Sequence, residues 1–92
     1  MTKEELATAM AERTNLSKFD CLTAIDEMIL LINNSLRKKD DVTLRGFGTF
    51  AIVRRKEKYC RDIRKGKGMV TPAHDAVKFR PSEKLKKMVA NG

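Results

Sequence analysis

Positively charged side chains crowd one short stretch of this 92-residue chain, and no other group of residues is better placed to do chemistry. Eight Lys and Arg residues fall between Arg54 and Lys67. Residues 41–92 hold fourteen cations against five acids, whereas residues 1–40 hold six against seven. An asymmetry of this kind, with a formal net charge of +8, indicates a polyanionic partner, nucleic acid ahead of an anionic membrane. A merely solvated charged face is the plain alternative.

These cations could neutralise nucleic-acid phosphates if they lie along a surface that follows the duplex. A two-stranded ribbon offers such a surface because both strands carry side chains. Arg can also enter a narrow minor groove, where the negative potential is strongest. We therefore expect nucleic-acid contacts from the clustered cations, which are Arg54, Arg55, Lys56, Lys58, Arg61, Arg64, Lys65 and Lys67.

Other reactive side chains lack the partners that catalysis or metal binding needs. His74 has no Ser, Cys or carboxylate at a spacing typical of a catalytic site, and neither Cys21 nor Cys60 has a second ligand at metal spacing. We predict no enzyme activity, cofactor, metal or small-molecule substrate. The unpaired cysteines and the lack of a signal-peptide apolar region predict a reducing, cytoplasmic location. The longest apolar run, residues 28–32, is too short to span a bilayer.

Two helices are predicted before the basic stretch. Thr2 and Glu5 have the spacing of a capping box, and the helix that follows should end near residues 13–15. Ser17 is the expected N-cap of a second helix that runs to about Lys38. Its main apolar stripe consists of Leu22, Ile25, Ile29, Ile32 and Leu36. Met28, Leu30 and Leu31 lie off this stripe, and the surplus apolar surface suggests packing against a second copy of the chain.

After Asp40 the apolar residues alternate, which predicts three strands around Val42, Phe50 and Val77. The glycines on either side of Phe47 allow a tight turn that returns this ring to the core. Residues 54–70 read as the outer part of a long hairpin, in which a strand of about twelve residues would project roughly 40 Å. A short final helix should begin after Ser82, with Leu85, Met88 and Val89 facing inward.

This order of elements and a set of motifs resemble the HU and integration-host-factor family. The motifs are Gly46-Phe47-Gly48-Thr49-Phe50, Thr71-Pro72-Ala73, Phe79-Arg80-Pro81-Ser82 and Leu85-Lys86. The resemblance covers nearly the whole chain and implies one α+β domain that forms an intertwined dimer. Residues 1–40 would be the helical dimerisation part, residues 41–81 a three-stranded antiparallel sheet with an arm at about 54–70, and residues 82–92 the C-terminal helix.

The resemblance also implies a histone-like, nucleoid-associated protein of bacterial, plasmid or phage origin that bends or compacts double-stranded DNA. Two arms of a homodimer, or of a heterodimer with a paralogue, would enter the minor groove with low sequence specificity. It adds DNA-facing cations in the body, which are Lys3, Arg80, Lys84 and Lys86. Residues expected in the dimer interface or the core are Leu36, Leu44, Phe47, Phe50 and Phe79.

One departure from the family concerns the arm tip, where Arg61-Asp62-Ile63 replaces the usual Arg-Asn-Pro. Ile63 is apolar and is the expected wedge between base steps, although it lacks the fixed φ of proline. Asp62 places an anion where phosphates would lie. Two alternatives stay open: a sequence-preferring protein like integration host factor, or a basic interaction module for RNA or an anionic membrane.

Overall fold

The computed structural model describes residues 1–62 and 67–92. Three helices and five strands follow one another in these ranges, and the predicted α+β class is confirmed. The elements are α1 (Lys3–Arg13), α2 (Lys18–Arg37), β1 (Val42–Leu44), β2 (Gly48–Arg55), β3 (Lys58–Asp62), β4 (Lys67–Thr71), β5 (His74–Pro81) and α3 (Glu83–Asn91).

Each of the three helices begins directly after the polar N-cap residue that the sequence predicts. The hydroxyl of Thr2 accepts from the backbone N–H of Glu5 at 3.2 Å, and that of Ser17 accepts from Asp20 at 3.0 Å. Ser82 caps α3 in the same way. These bonds satisfy N–H groups that have no partner inside the helix, so local sequence alone determines where the helices start.

The end of α2 shows an unusual backbone conformation at Lys39, whose φ is +64°. The N–H of Asp40 donates to the carbonyl of Ser35 at 2.9 Å, and the N–H of Lys39 donates to that of Leu36 at 3.0 Å. This pair of backbone hydrogen bonds is found at the C-terminal ends of many helices, usually with glycine in the left-handed position. Lys39 occupies it here, and its ammonium group lies 3.3 Å from Asp75 of β5.

The sheet has the order β1-β2-β5 and is antiparallel throughout, which confirms the predicted three-stranded sheet. Strands β2 and β5 pair over eight residues, from Gly48 opposite Pro81 to Arg55 opposite His74. Strands β3 and β4 form a separate antiparallel ribbon. Residues 56–57 and 72–73 lie outside both ladders, so strand pairing is interrupted at the base of the arm, a break that the sequence did not predict.

The glycines on either side of Phe47 are needed for different reasons, Gly46 for the turn and Gly48 for a strand contact. Gly46 has a φ of +81°, which a residue with a side chain rarely adopts. At Gly48 a Cβ would lie 2.6 Å from the carbonyl oxygen of Arg80 and from the ring of Phe79. Gly48 thus permits the close approach of β2 to β5.

Few of the described side chains are fully buried in the single chain. Ala7 of α1 packs with Cys21 and Ile25 of α2, and in the sheet Ala51 is buried. Phe79 lies between Phe47 and Phe50, with ring centroids 5.2 and 5.0 Å away, yet Phe47 stays 46% exposed. The three rings form a cluster, and one side of it is open.

The expectation that the apolar side chains of α3 all face inward is wrong for the isolated chain. Leu85 is half-buried, whereas Met88 is 62% exposed and Val89 is 75% exposed. Among the described helices, none has the length and apolar content needed to cross a membrane.

Candidate nucleic-acid interface

Strand pairing sorts the side chains of the sheet onto two faces, because successive residues of a strand point to opposite sides. One face carries Phe50 and Ile52 of β2 with Val77 and Phe79 of β5, and it turns toward α2. We call the opposite side the outer face. It consists of Thr43, Thr49, Ala51, Val53, Arg55, His74, Ala76, Lys78 and Arg80.

The outer face is basic and otherwise covered by small or uncharged side chains. Arg80 lies opposite Thr49, Lys78 opposite Ala51, and Arg55 opposite His74. None of the nine residues that define this face is Asp or Glu. The hydroxyl groups of Thr43 and Thr49 lie 3.2 Å apart beside it. Such a surface can accept a polyanion without placing a carboxylate against it.

Where the outer face meets the ribbon, a shallow concavity collects positive side chains. We call it the arm-base site; its lining residues are Arg55, Lys56, Lys58, Thr71 and His74. Arg55 comes from the end of β2, Lys58 from the start of β3, and Lys56 from the connection between them. Three of the predicted DNA contacts are thus brought together by the fold.

Lys78 and Arg45 are functional candidates that the sequence interpretation missed. Lys78 lies on the outer face between His74 and Arg80, and a period of two along β5 was the signal that could have revealed it. Arg45 lines a concavity with Arg80 at the far end of the sheet. No local spacing pointed to Arg45, because it sits in the turn rather than in a strand.

Arg54, another predicted contact, belongs to the opposite face of the sheet from Arg55. Its guanidinium lies 3.2 Å from the carboxylate of Asp75, which also contacts Lys39 at 3.3 Å. Hydrogen bonds from Arg54, and then from Lys39, hold the pKa of Asp75 below its ordinary value. The structure therefore places Arg54 in an ion cluster behind the outer face, and its role toward DNA stays a prediction.

The predicted body cations lie on helices, apart from Arg80. Lys3 of α1 donates to Asp26 of α2 at 2.9 Å, and this hydrogen bond raises the pKa of Lys3. Lys86 lies 3.5 Å from Glu83 within α3, and Lys84 beside it is exposed. Lys3 and Lys86 thus each have an acidic neighbour that a phosphate would have to replace.

Strands β3 and β4 pair in a regular antiparallel register along the described part of the arm. Arg61 lies opposite Gly68, and Asp62 lies opposite Lys67. A side chain at Gly68 would collide with the ring of Tyr59, so the glycine leaves room for that ring. The predicted contacts Ile63, Arg64 and Lys65 lie outside the described residues.

The charged side chains of this surface offer ionic chemistry. Among the described residues, no group of three His, Cys, Asp or Glu side chains could hold a metal ion. Cys21 is buried as a free thiol in the packing of α1 against α2. Fold and surface together define a small α+β domain with a basic sheet face and a basic two-stranded ribbon.

Comparison with known proteins identifies the family. A model of the family described as bacterial DNA-binding protein matches residues 1–90, and the chain belongs to that family. DNA-binding protein HU of Geobacillus stearothermophilus is 39% identical over 89 residues, which cover 97% of this chain and 99% of the relative. DNA-binding protein HRL53 of Rhizobium leguminosarum is 35% identical and is covered to 98%, with 97% of this chain.

Solved structures agree with this assignment. HU of Anabaena, crystallised with DNA, matches with a TM-score of 0.93 and 28% identity, and the match covers all of both chains. The V42I variant of HU from Thermotoga maritima matches with a TM-score of 0.70 and 25% identity, over 97% of this chain and 99% of the other. The resemblance on which the sequence interpretation relied is confirmed.

Proposed function

We propose that this protein is an HU-type architectural protein that binds double-stranded DNA in the minor groove with low sequence specificity and bends or compacts it. The observation that carries the proposal is the outer face, where Arg55, Lys78 and Arg80 share a surface whose defining residues include no acid. The family membership and the Anabaena relative, which was crystallised with DNA, support it.

A duplex fits this surface better than a compact anion does. The cations extend along the sheet from Arg80 to Arg55 and continue into the ribbon at Lys58. An extended row of this kind can replace the counterions of many successive phosphates. Phosphate contacts carry no sequence information, and the minor groove separates little more than A·T from G·C, so low specificity follows.

The working unit in this proposal is a homodimer. An apolar concavity opens between α2 and the sheet, lined by Met28, Ile29, Ile32, Asn33, Leu36, Leu44, Phe47, Phe50 and Val77. Only Ala7, Cys21, Ile25 and Ala51 are buried apolar residues among those described, which is a small core for a chain of this length. A second copy would cover the concavity, and four of the five predicted interface residues line it. Pairing with a paralogue would use the same surface.

Catalysis has no place in this proposal. The relatives are named as DNA-binding proteins, and no carboxylate or cysteine accompanies His74 among the described residues that line the arm-base site. Association with the bacterial nucleoid follows from the proposed DNA binding.

Salt dependence of binding tests the proposal. For Z phosphates neutralised, log K should fall with log salt with a slope of about −0.9Z. Arg55→Gln and Lys58→Gln should each make the slope shallower by about 0.9 for every phosphate that the variant no longer neutralises. Lys18→Gln, at the start of α2, removes the same charge away from the outer face and should leave the slope nearly unchanged.

Gel-shift titrations at several salt concentrations, with linear, nicked and cruciform DNA and with double-stranded RNA, give the slopes directly. A flat salt dependence, or an equal reduction in all three variants, would remove the outer face and the arm from the binding mechanism. Tighter binding to the RNA than to any DNA would overturn the choice of ligand.

DNA bending in this proposal depends on Ile63, a wedge inferred from the sequence. Ile63→Asn should lower the ring-closure rate of short duplexes more than it lowers affinity, because a polar side chain unstacks a base step less readily than an apolar one. Ile63→Leu keeps an apolar wedge and is the matched control. Unchanged ring closure in the Asn variant would exclude Ile63 from bending.

A further inference from the structure

We propose that His74 is a pH-titratable contact to a DNA backbone phosphate at the arm-base site, so that DNA binding strengthens as the imidazole becomes protonated. The inference rests on the proposed DNA binding and adds to it a named group and a proton. No catalytic partner of His74 is recognisable from sequence spacing. In the folded protein its neighbours are the cations and the hydroxyl group of the arm-base site.

The neighbours of His74 suit a single phosphate group. His74 lies directly opposite Arg55 in the β2–β5 register. Lys56, Lys58 and the hydroxyl-bearing Thr71 complete the lining of the same concavity. Three permanent cations and one hydroxyl donor from four different segments thus surround the exposed imidazole, and these are the groups that bind phosphate oxygens in proteins.

A backbone carbonyl determines which ring nitrogen of His74 carries the proton. Nδ1 lies 2.9 Å from the carbonyl oxygen of Pro72. A carbonyl can only accept, so Nδ1 must be the donor, and in the neutral ring Nε2 is then an unprotonated acceptor. A phosphate also accepts, and it cannot bond to a neutral ring held in this tautomer. Only the protonated imidazole offers it an N–H from Nε2.

No carboxylate among the lining residues competes with a phosphate for this position. The described residues that line the arm-base site include no Asp or Glu. Asp75 is next to His74 in the chain, but its side chain lies on the other sheet face with Arg54 and Lys39. Glu57, between Lys56 and Lys58, is exposed and does not line the site. A bound phosphate would therefore be the first anion to favour the charged ring.

Proton uptake follows from this arrangement. If the phosphate binds the imidazolium better than the neutral ring, DNA binding and protonation must strengthen each other by the same factor. An imidazole titrates between about pH 5 and about pH 8, so the effect falls in an accessible range. Each unit by which DNA raises the pKa of the ring corresponds to a tenfold gain in affinity at low pH.

The test measures DNA affinity as a function of pH at constant ionic strength, using a short nicked duplex. The wild type should bind about threefold to tenfold more tightly at about pH 5.5 than at about pH 8. His74→Gln should lose most of this pH dependence and bind at all pH values about as the wild type does at about pH 8. His74→Lys supplies a permanent cation and should bind tightly with little dependence on pH.

His74 is the only histidine of the chain, so a second readout is unambiguous. Proton NMR of its imidazole should show a higher pKa in the DNA complex than in the free protein. A pH dependence that survives in His74→Gln, or an imidazole titration that DNA leaves unchanged, would overturn the inference while DNA binding itself stands. Absence of DNA binding at every pH would instead overturn the proposed function.

Discussion

Asp75 is the only acidic side chain in β5, and it organises the cations behind the sheet. It contacts Arg54 from the neighbouring strand and Lys39 from the end of α2. Lys39 adopts a left-handed backbone conformation that is unfavourable for a residue with a side chain. Its contact with Asp75 ties this helix end to the sheet.

We expect Asp75→Asn to lower the free energy of unfolding at neutral pH, because the ion cluster loses its anion. The pKa of Asp75 is depressed in the folded state, so its contribution is present above the pKa of the unfolded chain and is lost as the pH falls through the folded value. The difference in the free energy of unfolding between wild type and Asp75→Asn should therefore become smaller below about pH 4. Urea unfolding at several pH values measures it.

Glu12→Gln is the matched control for Asp75→Asn. Glu12 is exposed on α1 and has no salt bridge among the described residues, so losing its charge should change stability little. Equal stability of wild type and Asp75→Asn at neutral pH would show that the ion cluster does not contribute to the free energy of unfolding. If the difference in the free energy of unfolding were the same in acid as at neutral pH, the substitution would act through packing and not through the charge of Asp75.

At the scale of elements, Ser82 joins α3 to the turn before β2. Its hydroxyl accepts from the N–H of Leu85 at 3.1 Å, and its own N–H donates to the carbonyl of Phe47 at 2.9 Å. The start of α3 is thereby held beside the aromatic cluster. The remainder of this short helix exposes Met88 and Val89, so the cap is a large part of what holds it within one chain.

Ser82→Ala should destabilise the protein by about 1 kcal/mol, because one N–H at the start of α3 loses its acceptor. Urea denaturation gives the free energy, and amide hydrogen exchange should show faster exchange confined to α3. Thr8→Ala is the control, since Thr8 lies within α1 and its hydroxyl donates only to the carbonyl of Glu4. A Ser82→Ala protein as stable as the control would exclude the cap as an anchor.

At the scale of the whole molecule, the exposed apolar concavity is the main feature that a single chain leaves unexplained. Ile29 is 44% exposed and lines it, whereas Leu31 is 63% exposed and lies outside it. The sequence interpretation assigned the second-copy surface to the off-stripe residues Met28, Leu30 and Leu31. Among these only Met28 lines the concavity, together with Ile29, Ile32 and Leu36 of the main stripe.

The two exposed positions on α2 give opposite expectations for a charge. Ile29→Glu should dissociate the proposed dimer, because an unpaired carboxylate would be buried between the copies. Leu31→Glu should change stability by no more than about 0.5 kcal/mol, as exposed substitutions usually do. Sedimentation and the concentration dependence of thermal unfolding measure both effects. A folded wild-type monomer at micromolar concentration would contradict the dimer.

Much of the fold could be predicted from local sequence. Thr2, Ser17 and Ser82 each hydrogen-bond to a backbone N–H only three residues further on, so their positions predicted the helix starts. The alternation of apolar residues around Phe50 and Val77 predicted strands, because this pattern also depends only on residues close together in the sequence. The break at residues 56–57 was missed, because cations and a glutamate carry no apolar alternation that could show where pairing stops.

The order of residues along the chain was enough to determine the three helices, the three-stranded sheet, the position of the cation cluster and, through its motifs, the family. The tertiary structure was needed to decide which cations act together. Arg54 and Arg55 are neighbours in sequence, yet strand alternation and the β2–β5 register place Arg54 with Asp75 and Arg55 with His74. That register joins residues about twenty positions apart, and a shift of one residue would exchange the faces, so no local pattern encodes it.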